Sequence, residues 1–332
     1  MPEDRTKTQF PSRRACLALP MLTVSAPALA QSAGSDFRRL RVDDTVGDLL
    51  SHPAFAGFAR RMLSWDDREP DQAMRLNAMH ALTPYRTHID ATSAVAALNR
   101  LIADAEQGRQ IFFDIYADEE RRKDAAKAMT GLFFLRGRPG APFAVICPGG
   151  AFTHVASLHE GFPYADEISR AGFNAFVLKY RPGQGAGIAT QDLAAALGYI
   201  FRNAEQLGLS TDGYSVWGSS AGARMAAAIG SHGPQHFGGP DLPKPATVVM
   251  AYTAHSDIGD REPPTFALVG EHDGIAPPSA MRRRVDALRR AGAVVEFREY
   301  PGVGHGFGLG IGTSAEGWIR EAISFWMRNQ PR

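Results

Sequence analysis

The stretch TDGYSVWGSSAGARM, residues 211–225, decides how this chain folds. Tyr214, Val216 and Trp217 indicate the end of an apolar strand, and the small residues after the GSSAG segment are typical of a packed helix. Between the two, Ser220 is the central residue of a G-x-S-x-G pattern. Its glycines permit a sharp, strained turn, because a side chain there would collide with neighbouring backbone. The stretch therefore predicts a strand, a tight turn with an exposed serine hydroxyl, and a helix.

Strand and helix patterns alternate from residue 110 to the C-terminus. The predicted strands are 111–116, 132–135, 143–147, 175–179, 246–252, 265–269 and 294–300, and the main predicted helices are 163–170, 192–207, 278–290 and 315–328. This alternation predicts an α/β fold with a doubly wound, mostly parallel sheet. Active sites in such sheets lie at the carboxyl ends of the strands, so the residues that follow each strand are the functional candidates.

Asp273 and His305 each follow a predicted strand downstream of Ser220. A serine hydroxyl is a weak nucleophile until a histidine takes its proton, and a carboxylate orients and stabilises the imidazolium that forms. We therefore predict Ser220 as the nucleophile, His305 as the general base and acid, and Asp273 as the orienting carboxylate. Two other carboxylates, Asp257 and Glu271, also follow strands and are alternatives to Asp273.

The segment CPGGAF, residues 147–152, follows another predicted strand and is the candidate oxyanion loop. Acyl transfer passes through a tetrahedral intermediate whose negative oxygen needs backbone N–H donors. Glycines allow the backbone to approach that oxygen closely. The expected donors are the N–H groups of Gly149, Gly150 and Ala221, with Ala151 as the alternative to one of the glycines.

Together these elements resemble the acetyl-esterase and acetylxylan-esterase-like branch of the α/β-hydrolase superfamily. Members of that branch carry a P-G-G-G-[YF] oxyanion loop, whereas Ala151 takes the place of the third glycine here. The segment SLHEGFP, residues 157–163, also fits the branch. The resemblance covers roughly residue 110 to the C-terminus. It implies an α/β-hydrolase fold and hydrolysis of small-acyl carboxylic esters through an acyl-enzyme intermediate, with an acetylated carbohydrate as a candidate substrate.

Two other functions stay open at this point. A serine peptidase of the prolyl-oligopeptidase type has the same order of serine, aspartate and histidine along the chain. Those enzymes usually carry a large β-propeller before the hydrolase domain, whereas a short helical segment stands here. A catalytically silent hydrolase fold used for binding is the second alternative, and the complete set of three residues argues against it.

The first 30 residues have the composition of a secretory signal peptide. Arg13 and Arg14 precede an apolar stretch that ends in an A-x-A pattern at Ala30. The segment SRRACL resembles the bacterial twin-arginine export signal, with Cys16 where an aromatic residue is usual. We therefore expect an exported protein, periplasmic or secreted, that uses the twin-arginine or the general route. The apolar stretch is too short to span a membrane.

The remaining composition argues against several classes of function. A net charge of +1 provides no basic surface for nucleic acid. The histidines have no metal-binding spacing, and no apolar pattern requires a cofactor, so we expect neither metal nor cofactor. Cys147, the single cysteine after residue 30, is expected to be a buried strand thiol.

Helical periodicity from Asp44 to about Gly108 predicts a helical N-terminal extension over residues 31–108, and residues 109–332 are predicted to form the catalytic domain. The extension carries no cluster of acid, base and nucleophile. It is expected either to cap the active site or to pack on the edge of the sheet. The sequence does not predict the oligomeric state.

Overall fold

The computed structural model describes residues 37–82 and 89–331, so the expected signal peptide lies outside the described residues. The strands are Phe112–Phe113 (β1), Gly131–Leu135 (β2), Pro142–Cys147 (β3), Asn174–Lys179 (β4), Ser210–Ser219 (β5), Thr247–Ala251 (β6), Thr265–Gly270 (β7) and Val295–Tyr300 (β8). They form one eight-stranded sheet in the order β1-β2-β4-β3-β5-β6-β7-β8. The β1–β2 and β2–β4 pairs are antiparallel, and the other pairs are parallel. The predicted mostly parallel sheet is confirmed.

Helices flank this sheet. Those in the described residues are Val46–Leu50 (α1), Ala91–Glu106 (α2), Asp118–Lys123 (α3), Phe162–Arg170 (α4), Gly185–Arg202 (α5), Ala204–Leu207 (α6), Ala221–His232 (α7), Pro278–Arg290 (α8) and Trp318–Arg328 (α9). The predicted helix 192–207 in fact begins at Gly185 and is interrupted at Asn203. None of these helices is both long enough and apolar enough to cross a membrane.

Strands β2, β4, β6 and β7 are buried along their whole length, as expected where helices cover both faces of a sheet. Their sequences are accordingly almost continuous apolar runs. Cys147 is buried at the end of β3, and burial raises the pKa of its thiol. The edge strand β8 is only half-buried and carries the charged residues Glu296, Arg298 and Glu299, which discourage pairing with another chain.

The predicted strand 111–116 is wrong over most of its length, since only Phe112–Phe113 pairs with β2. Beyond this pair, the Asp114 carboxylate lies 2.7 Å from the Arg121 guanidinium and 3.5 Å from that of Arg61. These ion pairs draw the chain away from the sheet.

The segment before β1 is less helical than the sequence predicts. Short 3-10 turns begin at Pro53, Ala59 and Leu76, and α1 and α2 are the α-helices of this described segment. Its apolar side chains nevertheless join the core of the sheet, where Phe58 stacks on Phe112 with ring centroids 4.8 Å apart. The predicted domain boundary near residue 108 stays a prediction.

The turn predicted around Ser220 joins β5 to α7. Ser220 has φ 51° and ψ −115°, a sparsely populated backbone conformation. A Cβ atom on Gly218 would lie 2.2 Å from the Gly222 carbonyl oxygen, and one on Gly222 would lie 1.9 Å from the Cys147 carbonyl oxygen. Both glycines are therefore required by the close packing of β5, α7 and the end of β3.

Candidate active site

Ser220, His305 and Asp273 meet beyond the carboxyl ends of β5, β8 and β7. The Nε2 atom of His305 lies 2.9 Å from Ser220 Oγ, and its Nδ1 atom lies 2.8 Å from Asp273 Oδ2. The other carboxylate oxygen of Asp273 accepts the backbone N–H groups of Ile275 at 2.9 Å and Ala276 at 2.7 Å. Hydroxyl, imidazole and carboxylate thus form one hydrogen-bonded series, the arrangement that can activate a serine.

The two alternative carboxylates make other contacts. Asp257 Oδ2 lies 2.7 Å from the Nε2 atom of His232, and Glu271 accepts the backbone N–H of Gly302 at 2.9 Å. Among the three candidates, the structure thus places Asp273 against His305.

The predicted oxyanion donor Gly149 is wrong. Its N–H donates to Glu160 Oε2 at 2.7 Å, so a buried carboxylate already accepts it. A Cβ atom on Gly149 would lie 3.0 Å from Ser220 Cβ and 2.5 Å from Glu160 Oε2. The glycine is thus needed for the close approach of these groups, although its N–H is not available to an oxyanion.

The other three predicted donors lie at the site with their N–H groups available. Gly150, Ala151 and Ala221 donate backbone hydrogen bonds to no acceptor in the described part of the chain. Ala151 and Ala221 line the same cavity as Ser220. Ala151 has a φ of 52°, an uncommon conformation for alanine that keeps this loop turned sharply beside the serine. These groups stay the candidates for the oxyanion hole.

Glu160 belongs to this site, although the sequence pattern gave it no role. Its side chain is buried, and its Oε1 atom accepts the hydroxyl of Tyr252 at 2.9 Å. Burial, followed by the charge of Glu160, raises the pKa of Tyr252 well above its usual value, so the hydroxyl stays protonated and donates. The Tyr252 ring packs edge-on to His305, with centroids 5.0 Å apart. The Glu160 carboxylate therefore contacts both the oxyanion loop, at Gly149, and Tyr252, whose ring packs against His305.

The neighbouring His159 contacts the loop that carries His305. Its Nε2 atom lies 2.7 Å from the carbonyl oxygen of Gly306, the residue after His305. His159 and Glu160 both lie in a π-helical turn, Ser157–Gly161, directly before α4. The segment noted for its resemblance to the esterase branch thus positions two loops of the site.

We expect Glu160→Ala to lower kcat for ester hydrolysis by about 10- to 100-fold with little change in KM, because loss of the acceptor loosens the oxyanion loop. Glu160→Gln should recover most of the loss, since its amide oxygen can still accept the Gly149 N–H. Steady-state kinetics on a soluble acetyl ester measures both. Equal losses of kcat in the two variants would contradict a role for the hydrogen bond from Gly149 to Glu160.

A cavity of about 420 Å³ opens beside Ser220 and His305. Its walls come from the oxyanion loop and from the loops after β6 and β7, and they include Phe152, Tyr252, Thr253, His255 and Ile275. None of the described residues before β1 lines it, so the described part of the N-terminal extension packs on the sheet without capping this cavity. Trp217 is buried in the core near Trp318 and Trp326. Among the described residues, no group of three or more His, Cys, Asp or Glu side chains is arranged to hold a metal ion.

Known proteins resemble this chain in sequence. A family model described as BD-FAE matches residues 136–242. An acetylxylan esterase of Xylanibacter ruminicola is 20% identical over 228 residues, which is 60% of this chain and 48% of that protein. The chain thus spans about half the length of that esterase. Esterase LipQ of Mycobacterium tuberculosis is 24% identical, over 90% of this chain and 72% of its own length.

Among solved structures, the acetyl ester-xyloside bifunctional hydrolase of Caldicellulosiruptor lactoaceticus superposes with a TM-score of 0.57 at 20% identity. The match covers 65% of this chain and 95% of that one. At this identity, the likeness shows the fold alone. The chain therefore has the α/β-hydrolase fold that its sequence motifs predict, and the two curated relatives that it resembles in sequence are both esterases.

Proposed function

We propose that this protein is a serine esterase that hydrolyses carboxylic esters with a small acyl group, acetyl above all. The observation that carries the proposal is the hydrogen-bonded series Ser220–His305–Asp273 beside an open cavity. Its similarity to an acetylxylan esterase supports an acetylated carbohydrate as the substrate. We further propose that residues 1–30 direct export, so that the enzyme meets its substrate in the periplasm or outside the cell.

The geometry supports a two-step mechanism. His305 Nε2 takes the proton of Ser220 as Oγ attacks the ester carbonyl, and Asp273 stabilises the imidazolium. The N–H groups of Gly150 or Ala151, together with that of Ala221, stabilise the negative oxygen of the tetrahedral intermediate. This collapses to an acyl-enzyme as His305 protonates the departing alcohol. Water, deprotonated by the same imidazole, then attacks the acyl group, and the acid leaves with the serine hydroxyl restored.

We expect the purified protein to cleave p-nitrophenyl acetate with a kcat/KM at least about 10-fold higher than that for p-nitrophenyl octanoate, because a small acyl pocket rejects the longer chain. Spectrophotometric rates over acetyl, butyryl and octanoyl esters measure this. Equal rates on all three would contradict the small acyl pocket. No turnover of any of them would contradict the esterase function, and peptide amides and binding partners would then be tested.

A further inference from the structure

The cavity beside Ser220 carries positive charge that no acidic side chain in its wall balances. Arg224 lines the cavity with an exposed side chain, whereas no Asp or Glu does so in the described part of the chain. The structure shows no ion pair between Arg224 and any described carboxylate. A cation of this kind at the mouth of an active site is available to bind a charged substrate group.

The carboxylates of Asp273, Glu160 and Asp257 have other partners. Asp273 binds His305, and Glu160 accepts the hydrogen bonds of Gly149 and Tyr252 described above. Asp257, whose backbone carbonyl accepts from a buried arginine, has its carboxylate against His232. None of these three carboxylates therefore forms an ion pair with the guanidinium of Arg224.

His255 adds a neutral hydrogen-bonding group to the same wall. Burial, followed by the charges of Arg284 and Arg224, lowers the pKa of His255 to about 4, so its ring is neutral near pH 7. Its Nε2 atom is buried and has no hydrogen-bond partner in the described residues. The backbone N–H of His255 donates to Thr253 Oγ1 at 3.3 Å, which holds this stretch in the cavity wall.

We infer that the substrate is an ester whose alcohol portion carries a carboxylate, and that Arg224 binds that carboxylate. The inference rests on the proposed esterase function, because a small acyl group leaves the alcohol portion to carry the charge. Arg224 is one helical turn from the nucleophile, and its N–H lies 3.3 Å from the carbonyl oxygen of Ser220. A guanidinium binds a carboxylate through two parallel hydrogen bonds, so this position selects for charge and for geometry.

A matched pair of acetyl esters tests this: 4-acetoxybenzoate carries a carboxylate where 4-acetoxybenzamide carries a neutral amide. After correction for the hydroxide-catalysed rates, we expect the wild type to prefer the benzoate by about 10-fold in kcat/KM, mainly through KM. Arg224→Gln should abolish this preference with little change on the benzamide, and Arg224→Lys should keep part of it. The preference should also fall in about 1 M salt, where screening is strong.

Arg283→Gln is the matched control, since Arg283 is exposed on α8 outside the cavity and the charge change is the same. It should leave the preference unchanged. Equal kcat/KM of the wild type on both esters, an equal loss on both in Arg224→Gln, or an equal loss of preference in Arg283→Gln would overturn the inference alone. Absence of turnover on both esters and on p-nitrophenyl acetate would overturn the esterase proposal with it.

Discussion

Replacing Ser220 with alanine is expected to reduce kcat for p-nitrophenyl acetate by about 10⁴-fold or more, because no other group takes over the nucleophilic attack. The serine lies 2.9 Å from His305 Nε2, with its backbone held at φ 51° by the turn between β5 and α7. Treatment with a fluorophosphonate should add one covalent adduct to the wild type and none to Ser220→Ala. Intact-mass spectrometry measures the adduct, and peptide mapping locates it.

The adjacent serine provides the control for this substitution. Ser219 is buried, and its hydroxyl donates to Tyr164 at 3.2 Å, away from the general base. Ser219→Ala should therefore keep kcat within about 10-fold of the wild type, since one neutral hydrogen bond is lost. Full activity and adduct formation in Ser220→Ala, with loss in Ser219→Ala, would reverse the assignment of the nucleophile.

Asp273→Asn is expected to lower kcat by about 10³- to 10⁴-fold with little change in fold, because it favours the wrong tautomer of His305. Asp273 Oδ1 accepts two backbone N–H groups, from Ile275 and Ala276, so the asparagine oxygen should stay at that position. The asparagine NH₂ group would then face His305 Nδ1 and force the ring proton onto Nε2. A ring protonated there cannot accept the proton of Ser220.

Two isosteric controls distinguish this carboxylate from its alternatives. Asp257→Asn changes a group paired with His232, and Glu271→Gln changes one that accepts from Gly302. Both should keep kcat within about 3-fold of the wild type, as expected for exposed pairs remote from the reacting atoms. A larger loss in Asp257→Asn than in Asp273→Asn would require a different partner for His305. Thermal unfolding of each variant separates a change in rate from a change in folding.

The residues that meet at the site could be found from the sequence because each lies in the turn or loop that follows a strand. Ser220, Asp273 and His305 are positioned by local strand-to-loop transitions, and the parallel order of the sheet brings those transitions to one edge. The packing that requires Gly218 and Gly222 is also local to the turn. Such features depend on a few neighbouring residues, which a motif records.

Other features depend on contacts between segments that no local pattern records. Gly149 and Gly150 are equivalent in the sequence, and only the contact with Glu160 determines which N–H is occupied. The exposure of Arg224 likewise follows from what surrounds α7. In the N-terminal segment, apolar spacing predicts helix, but it does not distinguish an α-helix from the short 3-10 turns that begin at Pro53 and Leu76.

The contacts of Glu160 set a rule for redesigning this protein toward bulkier esters. A library that randomises the whole loop 149–152 would mostly place a side chain at Gly149, where a Cβ atom would lie 2.5 Å from Glu160 Oε2, and those members would fail whatever their new pocket. Ala151 and Phe152, which line the cavity, are the positions to vary. Gly149 and Glu160 should be kept fixed together, because they hold the loop in place. The rest of the redesign can then change the cavity wall without disturbing that contact.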